Sequence, residues 1–292
     1  MNRRGKHLVF ADHPDLRIGL TTQNFRLAMP VSVASLREIM EYSSSEGYHF
    51  VEIRDDNALL TADDCRNLAD LAQSLGIGVI YEIHRNPLDP AFEEVFGRGL
   101  SNTVLFPGPG MLRILLSLSE FIDNPDKKGW TGEELEKVIH IAEESAALAK
   151  SRNVRLIVEN INEPFFGDGS TCFGLSDFFD RTVLTGLQFD ISNPFTRTAR
   201  MSPEPEDVTR YLSLLGKRWM TTHLKTIVTV GGTAQPVLTD NPIPVRKVVE
   251  MMGRNGVRYV SLELSPVEDR QECYSNHEKS IQFMKDNGIL ET

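Results

Sequence analysis

Eight short apolar runs alternate along this chain with segments of helical period, and no other feature restricts its fold as much. The runs occupy residues 17–21, 50–53, 77–81, 111–116, 155–158, 187–190, 219–223 and 259–263. They are too short for helices and rich in Val, Ile, Leu and Phe, as strands buried on both faces require. Between them, Ser32 opens a helical segment with Leu36, Ile39 and Met40 on one face and Gly47 as its stop. Thr61 and Asp64 form a capping box ahead of Leu68, Leu71, Ala72 and Leu75, and Gly76 ends that segment. The clearest helix starts at Thr131, where Glu134 completes a second box before Leu135, Val138, Ile139, Ala142, Ala146 and Ala149. Ser176 is expected to cap a short helix, and 206–215, 245–255 and 269–287 supply the rest. Residues 89–110 are the least legible, with a short helix expected at 92–96 before the turn-rich Phe106-Pro107-Gly108-Pro109-Gly110.

Strands alternating with helices make an α/β fold with a parallel sheet. A doubly wound open sheet is the rival, but eight regular units over 292 residues favour a closed (β/α)8 TIM barrel. No composition break, repeat or low-complexity tract divides the chain, so residues 1–292 read as a single domain, with 1–16 as an N-terminal extension. The formal net charge of -10 argues against nucleic acid as a partner, although Arg197 and Arg200 could form a local basic cluster. Cys65, Cys172 and Cys273 are scattered and read as free thiols of a reducing compartment. The basic start lacks the apolar stretch of a secretory signal, and no run approaches the roughly 18 residues of a membrane span. A cytoplasmic protein that does not associate with membranes is therefore expected.

Four polar residues close four consecutive runs: Glu159, Asp190, His223 and Glu263. In a parallel barrel these ends share one mouth, where active sites are found. A lone carboxylate there calls for an Arg or Lys partner, whereas three carboxylates with an imidazole repel one another unless a cation sits between them. Carboxylate oxygens with one imidazole and no thiolate suit Mn²⁺ or Mg²⁺, with Co²⁺ and Zn²⁺ tolerated.

Through Val158-Glu159-Asn160-Ile161-Asn162, Phe189-Asp190, His223-Leu224-Lys225 and Leu262-Glu263, the chain resembles the xylose isomerase-like barrels over residues 18–288. That superfamily comprises sugar isomerases and epimerases, inosose and dehydroshikimate dehydratases, and the metal-dependent endonuclease IV. The resemblance to its ketose 3-epimerase branch implies that Glu159, Asp190, His223 and Glu263 bind one Mn²⁺, with Glu159 and Glu263 also the acid/base pair. It further implies substrate contact at Asn162 and at Glu163, and it leaves room for a homo-oligomer, since relatives are often dimers or tetramers. Two positions depart from the branch. Asn193 stands where relatives carry His, able to hydrogen-bond a sugar hydroxyl but a poor metal ligand, and the loop after His223 lacks the substrate-contacting Arg of the branch. The Asp-x-His of endonuclease IV is also missing after His223.

Other residues carry two readings each. Lys225 should share the inward orientation of His223, either donating to a substrate oxygen or neutralising the carboxylates. His84 is a mouth acid/base, a substrate contact or a structural hydrogen-bonder. Arg113 points inward on strand four as a partner for buried carboxylates or as a hydroxyl or carboxylate binder. Glu52 and Arg54 suggest a mutual or cross-strand salt bridge, and Glu82 points into the barrel. Phe165-Phe166 forms an apolar lid or simply packs its loop, and His7, His13, His49, His140 and His277 read as surface residues.

The function expected is a divalent-metal-dependent isomerase or epimerase of a small sugar or polyhydroxylated carbonyl compound. Glu-mediated proton transfer and a metal-stabilised enediolate would carry it, with no organic cofactor. The alternative is a dehydratase of the same fold, acting on a keto-inositol, keto-sugar or dehydroshikimate. A non-catalytic barrel is the third reading, against which the intact Glu159 and Glu263 speak.

Overall fold

A computed structural model describes residues 7–116, 121, 123–124, 126–196 and 202–292, so Arg197 and Arg200 lie outside it. Eight strands close a barrel in chain order, each parallel to its neighbours. They are β1 Arg17–Thr21, β2 Phe50–Arg54, β3 Gly78–Glu82, β4 Met111–Leu115, β5 Arg155–Glu159, β6 Gly186–Asp190, β7 Trp219–Leu224 and β8 Tyr259–Leu262. The helices packed outside are α1 Val33–Ser45, α2 Ala62–Leu75, α3 Phe92–Thr103, α4 Gly132–Ser151, α5 Leu175–Arg181, α6 Pro205–Leu215, α7 Val245–Asn255 and α8 Arg270–Asp286. The architecture is the expected (β/α)8 TIM barrel. Part of the 1–16 segment is tied down: Phe10 is fully buried and bridges Leu290 in antiparallel fashion.

The pleat sorts the barrel interior into storeys, because side chains two residues apart on a strand point the same way. Phe50, Ile80, Met111 and Ile157 form an apolar floor, with Met220 and Tyr259 against it. A Cβ on Gly19 would meet the Phe50 ring at 2.6 Å, so the glycine lets that ring fill the floor. Two residues further along the same strands come Glu52, Glu82, Arg113 and Glu159, all buried, with Gln188 and Ser261 from β6 and β8. The sheet therefore delivers its charges to the C-terminal half of the barrel.

Three expectations are corrected here. The helix expected at 92–96 runs through Phe92–Thr103, its period masked by Gly97 and Gly99. Gly99 is there for close packing, since a Cβ would meet Ile83 at 2.8 Å. Ser176 does not cap α5. The cap is Gly174, whose N–H donates to Asp177 at 2.7 Å, and Ser176 lies buried in the first turn. Finally, His277 is no surface residue: it is 1% exposed and stacks on Phe25. Periodicity alone hid it, because α8 is polar along much of its length and its buried face is small.

Asn24 accepts the Leu264 N–H at its Oδ1, which directs its Nδ2 to the Leu262 carbonyl and to Nε2 of His277. Nε2 thus accepts, and Nδ1 carries the proton toward the Tyr48 hydroxyl 3.1 Å away. Burial lowers the His277 pKa to about 3, against about 6.5 for a free imidazole. Between these values the unfolded chain takes up the extra proton. The stabilising contribution is present above about pH 6.5 and is lost as pH falls toward 3, by up to about 1.4 kcal/mol per pH unit. His277→Gln is expected to flatten the pH dependence of denaturant midpoints between about pH 7 and 5. Parallel curves for both proteins would contradict a buried neutral imidazole.

Candidate metal centre

Each of the four strand-end residues follows an inward-facing position by two: Ile157 precedes Glu159, Gln188 precedes Asp190, Thr221 precedes His223 and Ser261 precedes Glu263. One ligand atom from each of the four lies within 4.8 Å of the others. Nδ1 of His223 stands 2.8 Å from Oε1 of Glu159 and 2.6 Å from Oε2 of Glu263. Asp190 uses Oδ1 to accept the N–H groups of Ser192 and Asn193, while its buried Oδ2 has no hydrogen-bond partner. Three carboxylates and one imidazole nitrogen converging this closely fit a divalent cation with oxygen-rich ligation.

The opposite edge of His223 is held by Glu52. Oε2 of Glu52 lies 2.9 Å from Nε2 of His223 and accepts the Ser261 hydroxyl at 2.9 Å. Its Oε1 accepts from Gln188 at 2.9 Å. A carboxylate on Nε2 keeps a proton there and leaves Nδ1 available to a cation, an arrangement like that which orients metal-binding histidines. Burial opposes the charge on Glu52, but His223 and Arg113 outweigh it and hold its pKa at about 2. Burial likewise opposes an imidazolium, yet Glu52 and Glu263 raise His223 to about 9. Glu263 sits well below the usual carboxylate range, because Lys225 and His223 overcome its burial. Asp190 is raised by burial against the pull of Lys225.

Arg113 is the cation of the storey below. It bridges Glu82 and Glu159 and lies 3.4 Å from Glu52, with 2% of its side chain exposed. Its guanidinium is enclosed by carboxylates under the site, the first of its two expected roles. Of the mutual and cross-strand bridges expected for Glu52 and Arg54, the cross-strand kind forms. Glu52 turns to Arg113, and Arg54 to Asp56 at 2.6 Å and Glu82 at 3.6 Å.

Lys225 reaches the cluster as its spacing predicts, with Nζ 2.6 Å from Glu263 and 3.5 Å from Asp190. His84 accepts from Arg54 at Nδ1 over 2.8 Å; burial first, and Arg54 next, lower its pKa to about 3. Asn193 donates its side-chain amide to the Asn160 carbonyl at 2.8 Å. Glu163 folds back toward its own loop, accepting Ile161 N–H at 3.3 Å. Asn162 is 8% exposed. Phe165 packs against Phe189 and Tyr211, so the Phe165-Phe166 pair fills its loop.

Some residues escaped the sequence. Asn160 clamps β6, donating to the Asp190 carbonyl and accepting its N–H, and Asn24 brackets Glu263 through Leu262 and Leu264. Asn160 had a signal in its place beside Glu159. Asn24 had none, since its partners lie about 240 residues away.

No family model matches the chain, and no curated protein does. Among solved structures, D-allulose 3-epimerase from Methylomonas sp. in complex with D-allulose is similar with a TM-score of 0.65 at 13% identity, over 97% of this chain and 99% of that one. A sugar phosphate isomerase/epimerase from Parabacteroides distasonis matches at 0.65 and 12%, over 92% and 93%. A 3-keto-D-glucoside 4-epimerase from E. coli matches at 0.66 and 14%, over 91% and 99%. The chain shares the whole barrel of these proteins, at identities that establish the fold alone. Among the described residues no helix is long and apolar enough to cross a membrane.

Arg113→Met would strand Glu52, Glu82 and Glu159 around an uncharged side chain. The expected cost is about 3–5 kcal/mol in denaturant unfolding. A loss below roughly 1 kcal/mol would contradict its place at the centre of the charged storey.

Proposed function

We propose that this chain is a divalent-metal-dependent isomerase or epimerase of a small sugar or polyhydroxylated carbonyl compound, with Mn²⁺ the preferred metal. The observation that carries this reading is the placement of Glu159 and Glu263. They stand at the end of β5 and just past the end of β8, on different sides of the barrel, and meet at the same nitrogen, Nδ1 of His223. A substrate carbon held between them faces one carboxylate on each side.

One carboxylate would take the proton from the carbon beside the carbonyl, and the other would return a proton to the opposite face. The stereocentre then inverts without redox chemistry. Held by Glu159, Asp190, His223 and Glu263, a divalent cation supplies Lewis-acid stabilisation of negative charge developing on the substrate oxygens. Lys225 keeps Glu263 ionised and is placed to donate to a substrate oxygen. We assign further substrate contacts to Asn162, Asn193, Glu163 and His84. A dehydratase would share the first proton removal, with the Lys225 ammonium protonating a departing β-hydroxyl. Activity at a cytoplasmic location, and assembly into a homo-oligomer, are part of the same reading.

Metal-loaded protein incubated with ketoses in D₂O is expected to place deuterium at the carbon next to the carbonyl, whereas an enone chromophore would mark the dehydratase. Mn²⁺ at a hundredfold excess over its Kd should stabilise the fold by about 2.7 kcal/mol. Glu159→Gln and Glu263→Gln are expected to lose exchange and to weaken that stabilisation. Unaltered exchange in both variants would overturn the assignment.

A further inference from the structure

A cavity of about 430 Å³ opens beside the ends of β1 and β2, a size that accommodates more than the reacting carbons of a substrate. Barrel order puts β1 between β8 and β2, so this cavity flanks the side of the mouth that carries Glu263. The turn that walls it, Thr22–Phe25, also carries Asn24, which brackets Glu263.

The charges around the cavity are unevenly committed. Asp55 accepts the N–H groups of Leu59 and Leu60 at 2.8 Å and the Tyr81 hydroxyl at 2.6 Å. Asp64 closes its capping box with Thr61, and Asp56 lies 2.6 Å from Arg54. Arg26 is different. It is exposed, lines the cavity, and its guanidinium makes no hydrogen bond or ion pair among the described residues. Beside it, Gln23 is 9% exposed and its Oε1 is buried without a hydrogen-bond partner.

We infer that this cavity receives the far end of the substrate and that this end is anionic, a phosphate or carboxylate on a polyhydroxylated chain. The inference rests on the proposed proton-transfer site. Arg26 offers the planar donor fork that matches either anion, and a substrate hydroxyl satisfies Gln23 Oε1. Asp55 and Asp64 turn their oxygens to protein donors and Asp56 is paired with Arg54, which leaves the Arg26 guanidinium as the cavity's uncommitted donor.

Calorimetric titration of Mn²⁺-loaded protein with D-fructose, D-fructose 6-phosphate and D-fructuronate tests this. At least one anionic ketose is expected to bind roughly tenfold or more tightly than D-fructose. Arg26→Ala should abolish that preference while leaving Mn²⁺ uptake unchanged, and Arg26→Lys should restore part of it. Whichever anionic ketose gains identifies phosphate or carboxylate. Equal affinities, absence of ketose binding, or a preference that survives Arg26→Ala would overturn the inference. A preceding titration with Mn²⁺ alone reads the metal centre separately. Protein that refuses Mn²⁺ sinks the proposed function as well, whereas protein that takes Mn²⁺ without an Arg26-dependent preference sinks only this inference.

Discussion

Carboxylates packed inside one barrel cannot coexist without positive charge between them, and the upper half of this structure is arranged around that requirement. Arg113 meets it for Glu52, Glu82 and Glu159 in the lower charged storey. Lys225 meets part of it above, against Glu263 and Asp190. Between them, His223 touches Glu52 on one edge and Glu159 and Glu263 on the other. A divalent cation at Nδ1 would satisfy the same carboxylates more fully than a protonated ring, because Asp190, whose Oδ2 has only the Lys225 ammonium at 3.5 Å, offers an atom to the same cluster.

The apolar floor makes this arrangement affordable. Phe50, Ile80, Met111 and Ile157 close the barrel beneath the charges and exclude water from that end. Above, the four strand-end residues are held by backbone-linked clamps: Asn160 joins the ends of β5 and β6, and Asn24 joins the end of β1 to that of β8. His277 anchors Asn24 in turn, so a buried ring on α8 helps set where Glu263 stands. A site supported by strand ends and such clamps keeps its geometry with little freedom to relax.

Much of this was legible beforehand, for physical reasons. Two-sided burial made the strands read as apolar runs, and a charge ending such a run at Glu159, Asp190, His223 or Glu263 stands out because burying it is costly. Spacing of two also placed Lys225 correctly. Illegible features depend on contacts distant in the chain. Glu52 is legible as a partner in a mutual or cross-strand salt bridge, but only barrel closure brings it to His223, 171 residues away. His277 looked exposed on a polar helix, and Gly97 and Gly99 disguised a helix whose close packing requires small residues. Arg113 was expected inward, but which of its two roles it takes depended on the carboxylates beneath the site.

One cation is expected at this site, with the Nδ1 edge of His223 as its nitrogen ligand. Electron spin-echo spectroscopy of Mn²⁺-loaded protein tests it most directly. Coupling to a single imidazole nitrogen is expected, lost in His223→Gln. Mn²⁺ showing no imidazole coupling, or coupling that persists in His223→Gln, would contradict it.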